Sequence, residues 1–172
     1  RGVARLVTRQ LPVKTRNPQA PFQPFLEALQ ADPDFDEPCR ALVGLAQGTL
    51  QEEGAASNAA LGALREACNL APHFPPFRGL LGNYLFQQGR FDEALPLLED
   101  FLKHAVPNDS LAPISYVRLA TGLHHQGNAA RAYDLLNEAA RRFPNNPDVL
   151  EGLGVCHAEA GKAKAAENCW RR

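Results

Sequence analysis

Tyr116-Val117-Arg118-Leu119-Ala120 and Leu150-Glu151-Gly152-Leu153-Gly154 decide how this chain is read, because one lies over the other at an offset of 34 residues. At the same offset Gln126-Gly127 falls on Ala160-Gly161, Ala132 on Ala166 and Leu136 on Trp170. Upstream, the same grammar returns as Leu81-Gly82, then Gln88-Gly89-Arg90-Phe91, then Ala94, Leu98 and Phe101. A looser copy holds Ala46, Leu50, Gly54, Ala59 or Ala60, Leu64, Ala67 and Pro72. Phe25, Ala28 and Pro33 form a fragment before it. Self-similarity at a fixed period of roughly 20–50 residues marks a chain built by stacking one small unit.

Each unit reads as two helices. Ala-rich segments such as 55–61 and 129–133 favour helix by propensity, and their apolar residues recur at helical rather than alternating spacing. Nothing after residue 25 has the pattern of a strand. A large residue early in the first helix, followed by a Leu-Gly or Leu-Ala pair, lets a second helix approach closely. The glycine of Gln88-Gly89, Gln126-Gly127 or Ala160-Gly161 closes the turn, where a positive φ is cheap only without a side chain. An Ala five residues later is a second close-contact position. Pro72 and Pro144 end the second helix of their units.

These residues resemble the tetratricopeptide repeat, whose pattern runs large, Leu-Gly, Tyr, Ala, Phe, Ala, Pro. Matching positions in the third unit are Tyr116, Leu119, Ala120, Leu123, Ala132, Leu136, Ala139 and Pro144. The second unit offers Leu81, Gly82, Leu85, Ala94, Leu98 and Phe101, and the fourth Leu150, Leu153, Gly154, His157, Ala166 and Trp170. The resemblance implies an all-α fold, a right-handed α-α superhelix with repeats at 40–74, 75–112, 113–146 and 147–172. A partial or degenerate repeat at 25–39 and an extended arm at 1–24 precede them. Three departures stand out. The second and third units are 38 residues apart, so about four extra residues sit near 105–110 and lengthen a helix or its loop. Pro96 falls inside a second helix, close enough to its start to be tolerated. Trp170 leaves an apolar residue on the last helix with no capping helix after it.

The chain of 172 residues is 45% hydrophobic and 22% charged, the balance of a folded globular protein rather than a disordered tail. Its formal net charge is -1, which argues against a whole surface built for nucleic acid or anionic lipid. No apolar run is long enough for a transmembrane helix. Four widely spaced Cys do not make a small disulfide scaffold. The charge is uneven: Arg1, Arg5, Arg9, Lys14 and Arg16 make residues 1–20 a +5 segment, leaving about −6 for the rest. Val3–Thr8 has partial strand character, and Pro12, Pro18, Pro21 and Pro24 break any regular element after it. The absence of Met and the start at Arg1 read as a processed or excised piece of a longer protein.

No His-Glu-x-x-His, Cys-x-x-Cys, phosphate-cradling glycine loop or Gly-x-Ser-x-Gly occurs. Cys156-His157 with Cys169 has part of the composition of a zinc site, but core thiols are favoured over a metal, and a Cys156–Cys169 disulfide stays open for an exported chain. Cys39 and Cys68 read as small core residues. No metal, cofactor or catalytic group is expected.

The resemblance also implies a concave groove lined by first helices. Its expected residues are Gly79, Asn83, Phe86 and Gln87; then Ile114, Val117, Arg118, Thr121, His124 and His125; then Glu151, Val155 and Glu159. Adjacent His124 and His125 point about 100° apart on a helix, which argues against joint metal ligation. Solvated polar residues are the plainer reading for both. Of the terminal-carboxylate clamp found in some relatives, only Asn83 and, loosely, Arg118 are present, so that ligand is not favoured. The expected function is a non-catalytic scaffold holding a protein or peptide partner, with Trp170 as a terminal contact and no small-molecule cofactor. The alternative is a helical regulatory or substrate-positioning region of a larger multidomain enzyme. Nucleic-acid binding through the basic arm ranks below both. Compartment stays open, with cytoplasmic ahead of exported or periplasmic.

Overall fold

Four glycines set the architecture of the computed structural model, which describes residues 17–52, 54–107 and 109–171. Gly54, Gly89, Gly127 and Gly161 have φ of 82°, 73°, 81° and 70°, and no other described residue has a positive φ. Each separates two helices: α2 (Asp36–Thr49) from α3 (Ala55–Leu70), α4 (Pro75–Gln87) from α5 (Phe91–His104), α6 (Ala112–His125) from α7 (Ala129–Arg142), and α8 (Pro147–Glu159) from α9 (Ala163–Trp170). A lone helix, α1 (Gln23–Ala31), precedes them. The last three turns share one hydrogen-bond scheme. Gly127 N–H donates to the His124 carbonyl and Asn128 N–H to the Leu123 carbonyl, both at 2.9 Å, and Gly89–Arg90 and Gly161–Lys162 repeat it. This satisfies carbonyls that the helix end would otherwise leave open. Three of the first helices carry proline in their first two positions, at Pro75, Pro113 and Pro147, where the missing N–H costs nothing.

Packing follows from the small residues. Ala59, Ala94, Ala132 and Ala166, each five residues after a turn glycine, are at most 4% exposed. Gly82 backs onto Leu98, where an added Cβ would lie 3.0 Å from the side chain. The second helix of each pair also packs on the first helix of the next, and α2, α4, α6 and α8 stack directly on one another. The second helices α3, α5, α7 and α9 make no such mutual contacts. The result is an all-α solenoid whose first helices form one continuous inner layer. Its core has one cluster from Phe22 to Ala94 and a second from Leu95 to Leu153, which meet in α5 and are joined by Phe86. A third, of Tyr116, Ala139 and Val149, is joined to the second by Leu102 and Val117.

The extra residues between the second and third units do not lengthen α5, which has 14 residues, as does α7. The Asp109 carboxylate accepts from Leu111 N–H at 2.9 Å, and the Leu111 carbonyl accepts from Ser115 Oγ at 2.7 Å, so these residues are tied to α6. Pro96 sits inside a continuous α5. The expected boundary at residue 40 falls within α2, whose first turn is Asp36-Glu37-Pro38. Of the basic arm, residues 1–16, with the Val3–Thr8 segment and Pro12, lie outside the described residues. Pro24 lies in the first turn of α1 instead of breaking it, and Phe22 before the helix is 1% exposed.

Cys39 is fully buried in α2. Burial, with Asp36 adding to it, pushes its thiol from 9.0 to about 11. Burial pushes Cys68 equally to about 11, against the opposing charge of Arg78. Below pH 9 both thiols are protonated whether the chain is folded or not, and their contribution to stability is fully present. Above pH 9 only the unfolded chain ionises, so that contribution is lost as pH rises toward 11. The urea midpoint is expected to fall between pH 9 and 11, and Cys39→Ala with Cys68→Ala to flatten the fall. An unchanged slope in the double variant would clear the thiols of responsibility.

Among the described residues no helix is long and apolar enough to cross a membrane. None of the described His, Cys, Asp and Glu side chains form a group of three or more able to hold a metal.

Candidate functional site

The inner layer divides into an amide-rich half and an apolar half. In the first, Asn83 on α4 is 5% exposed. Its Nδ2 donates to Ser115 Oγ on α6 at 2.7 Å. Its Oδ1 is buried with no hydrogen-bond partner. Arg118, one turn further along α6, donates from Nη1 to the backbone carbonyl of Asn83 at 2.7 Å. Burial pulls its guanidinium below the ordinary value, with Asp148 opposing. A small cavity of about 110 Å³ opens here, walled by Asn83, Gln87, Ile114 and Arg118 together with Gln47 and Gln51. Leu111 and Gln47 are also walls of a neighbouring cavity with Arg40, Val43 and Phe74. Asp109, Ser110 and Leu111 thus share that second cavity with residues of α2.

The apolar half lies between α6 and α8. Val117, Ala120, Thr121, His125 and Val155 line a cavity of about 240 Å³ with Gly152 at its floor. Gly152 is small for a reason: a Cβ there would press on Leu136 at 3.2 Å. His124 Nε2 lies 3.0 Å from Glu159 Oε2, joining consecutive first helices across the groove. Val155 is 45% exposed, an apolar side chain held in the open. Thr121 Oγ1 is turned back to the Val117 carbonyl at 2.9 Å. The Cys156 thiol is half-buried beneath, pushed up first by burial and then by Glu159.

Most of the expected groove residues converge on these two halves, but not all. Gly79 is buried and faces outward to α5, where a Cβ would stand 2.9 Å from the Phe101 ring. It is a helix-contact residue because only a missing side chain admits that ring. Phe86 is turned to α5 as well, its ring 4.9 Å from that of Phe91 in an edge-on pair. Glu151 is exposed on α8. Trp170, 55% exposed, lies with its indole against Gly154 on α8.

Gln47 and Gln51 line the groove without having been among the expected residues, and Cys156, expected as a core thiol, lines it too. A signal for the first two existed: taking Ala46 as the small-pair position of the first unit places Gln47 over Asn83 and Gln51 over Gln87. Among the described residues Cys39, Cys68, Cys156 and Cys169 are all free thiols, so Cys156–Cys169 is not a disulfide here.

The family model of the tetratricopeptide repeat matches residues 80–147 and 117–168, which together span just over half of the chain. No curated protein matches. Among solved structures, MamA superposes with a TM-score of 0.64 at 16% identity, over 87% of this chain and 82% of that one. The pilF protein of Pseudomonas aeruginosa gives 0.64 at 19% identity, over 90% and 67%. YrrB, described as having an unusual peptide-binding site, gives 0.61 at 20% identity, over 84% and 70%. At these identities the likeness speaks for the fold.

Proposed function

Since the chain belongs to the tetratricopeptide-repeat family, we propose that it is a non-catalytic scaffold that holds a peptide segment of a protein partner in the groove of its first helices. Proteins of this fold generally mediate protein–protein interactions. The observation that carries the finer reading is the apolar cavity of about 240 Å³ between α6 and α8, lined by Val117, Thr121 and Val155. Extended peptide segments seat side chains in pockets of this kind, and Gln47, Asn83 and Gln87 stand further along the groove as polar neighbours for the backbone. The exposed Val155 beside Val117 supports the same reading, since it offers apolar area to a side chain of that segment.

The test is affinity capture from native lysate with the 172-residue chain as bait. It runs beside a variant carrying Asn83→Ala, Thr121→Arg and Val155→Arg, and a control changed on α5 by Lys103→Glu. Partners retained by wild type and control, and reduced about tenfold or more by the groove variant, are the expected result. Equal recovery by all three baits would overturn the reading.

A further inference from the structure

A cavity of about 430 Å³ lies at the edge of the stack, beyond the groove, where the turns closed by Gly127 and Gly161 come together. It is within the size range of ligand sites. Its walls are Ala129 and Ala130 from the first turn of α7, the ring of Tyr133, Cys156 from α8 and Ala160 just after it. The sole cation at its mouth among the described lysines and arginines is Lys162. The Lys162 ammonium stands 5.3 Å from the centre of the Tyr133 ring and forms no ion pair with a described carboxylate. The one carboxylate on the rim, Glu159, is already engaged by His124. His124, Cys156 and Glu159 are shared with the apolar cavity of the groove, so the two spaces adjoin through the His124–Glu159 pair.

We infer that this edge cavity is an anchor site, taking an aromatic or long aliphatic side chain of the partner segment with an Asp or Glu next to it. The inference rests on the groove-binding reading and names the chemistry of its occupant. Apolar walls favour burial of an apolar side chain. The ammonium, already paired with a π-face, has its remaining side free for a carboxylate, which compensates its charge as the cavity loses water. Continuity with the groove makes the occupant a side chain of an extended segment rather than a separate small molecule. A basic neighbour on that segment would meet Lys162 and be repelled.

The probe is a phage-displayed library of random dodecapeptides, panned on the wild-type chain, on Lys162→Glu and on Ala130→Phe. Ala130 is exposed, so filling the cavity there leaves the core alone, and a thermal midpoint for each variant verifies folding. Wild-type pools are expected to be enriched in an aromatic or aliphatic residue beside Asp or Glu. Lys162→Glu pools are expected to exchange that acid for Lys or Arg, and wild-type peptides to bind Ala130→Phe about tenfold more weakly. Peptides that are weakened by Asn83→Ala with Val155→Arg but indifferent to both edge variants would overturn the anchor while leaving the groove standing. Peptides weakened only by the edge variants would overturn the groove and keep the anchor. Pools no richer than a blank support would overturn both.

Discussion

Phe101→Ala is expected to remove about 3–5 kcal/mol of stability, the range for deleting a fully buried aromatic ring. Phe101 is 0% exposed on α5, and its ring fills the place that Gly79 leaves on α4. Both halves of that contact are specified by sequence, so the reverse fault is also informative. Gly79→Ala puts a Cβ 2.9 Å from a ring that has no open side, and overpacking of this kind costs about 1–3 kcal/mol. Combining Gly79→Ala with Phe101→Leu relieves the clash, so the pair is expected to cost less than the two single changes added together. A urea titration of the four chains measures this. Strict additivity would show that the two residues do not meet.

Tyr116→Ala is expected to be comparably damaging, about 3–5 kcal/mol, while Tyr116→Phe costs only about 1 kcal/mol. The ring, 2% exposed, is buried with Ala139 of α7 and Val149 of α8, so it ties three helices together. The hydroxyl is peripheral by comparison: it donates to Glu138 Oε1 and accepts from Arg142 Nη1, each at 2.6 Å. Both of those partners reach water, so removing the hydroxyl leaves neither stranded. The Arg142 guanidinium lies over the Tyr116 ring, 5.7 Å from its centre, and a Phe keeps that contact. Thermal unfolding of the two variants checks the ratio. Equal losses would move the importance from the ring to its hydroxyl.

The repeat and its phase were legible in the sequence because they rest on residue types that few others replace. Gly89, Gly127 and Gly161 hold a left-handed turn, and Gly82 and Ala120 sit where only a small residue fits. Asn83, Val117, Thr121 and His124 could be assigned to the inner surface from that phase alone. Gly79 and Phe86 could not, since which way a helix position faces depends on its neighbour. In both cases the neighbour on α5 took the contact. Tyr133 and Lys162 were invisible for another reason. They lie on a second helix and in a turn, outside any template of first-helix positions, and only the meeting of two turns makes them walls of one cavity. The sequence places extra residues near 105–110, yet a count does not separate an added helical turn from a loop. The Asp109 bond to Leu111 N–H decides it, and local bonds of that kind compete with helix at the point where they form.

The junction inside α5 has a meaning in time as well as in space. Core residues on its two sides join stretches that each run along the chain without doubling back, and helices touch only near neighbours in the sequence. Little chain must be looped to form any one of these contacts, so the topology favours rapid folding. Short-range contacts of this kind place the chain among topologies that fold fast, and α5 is the helix where the first two core clusters meet.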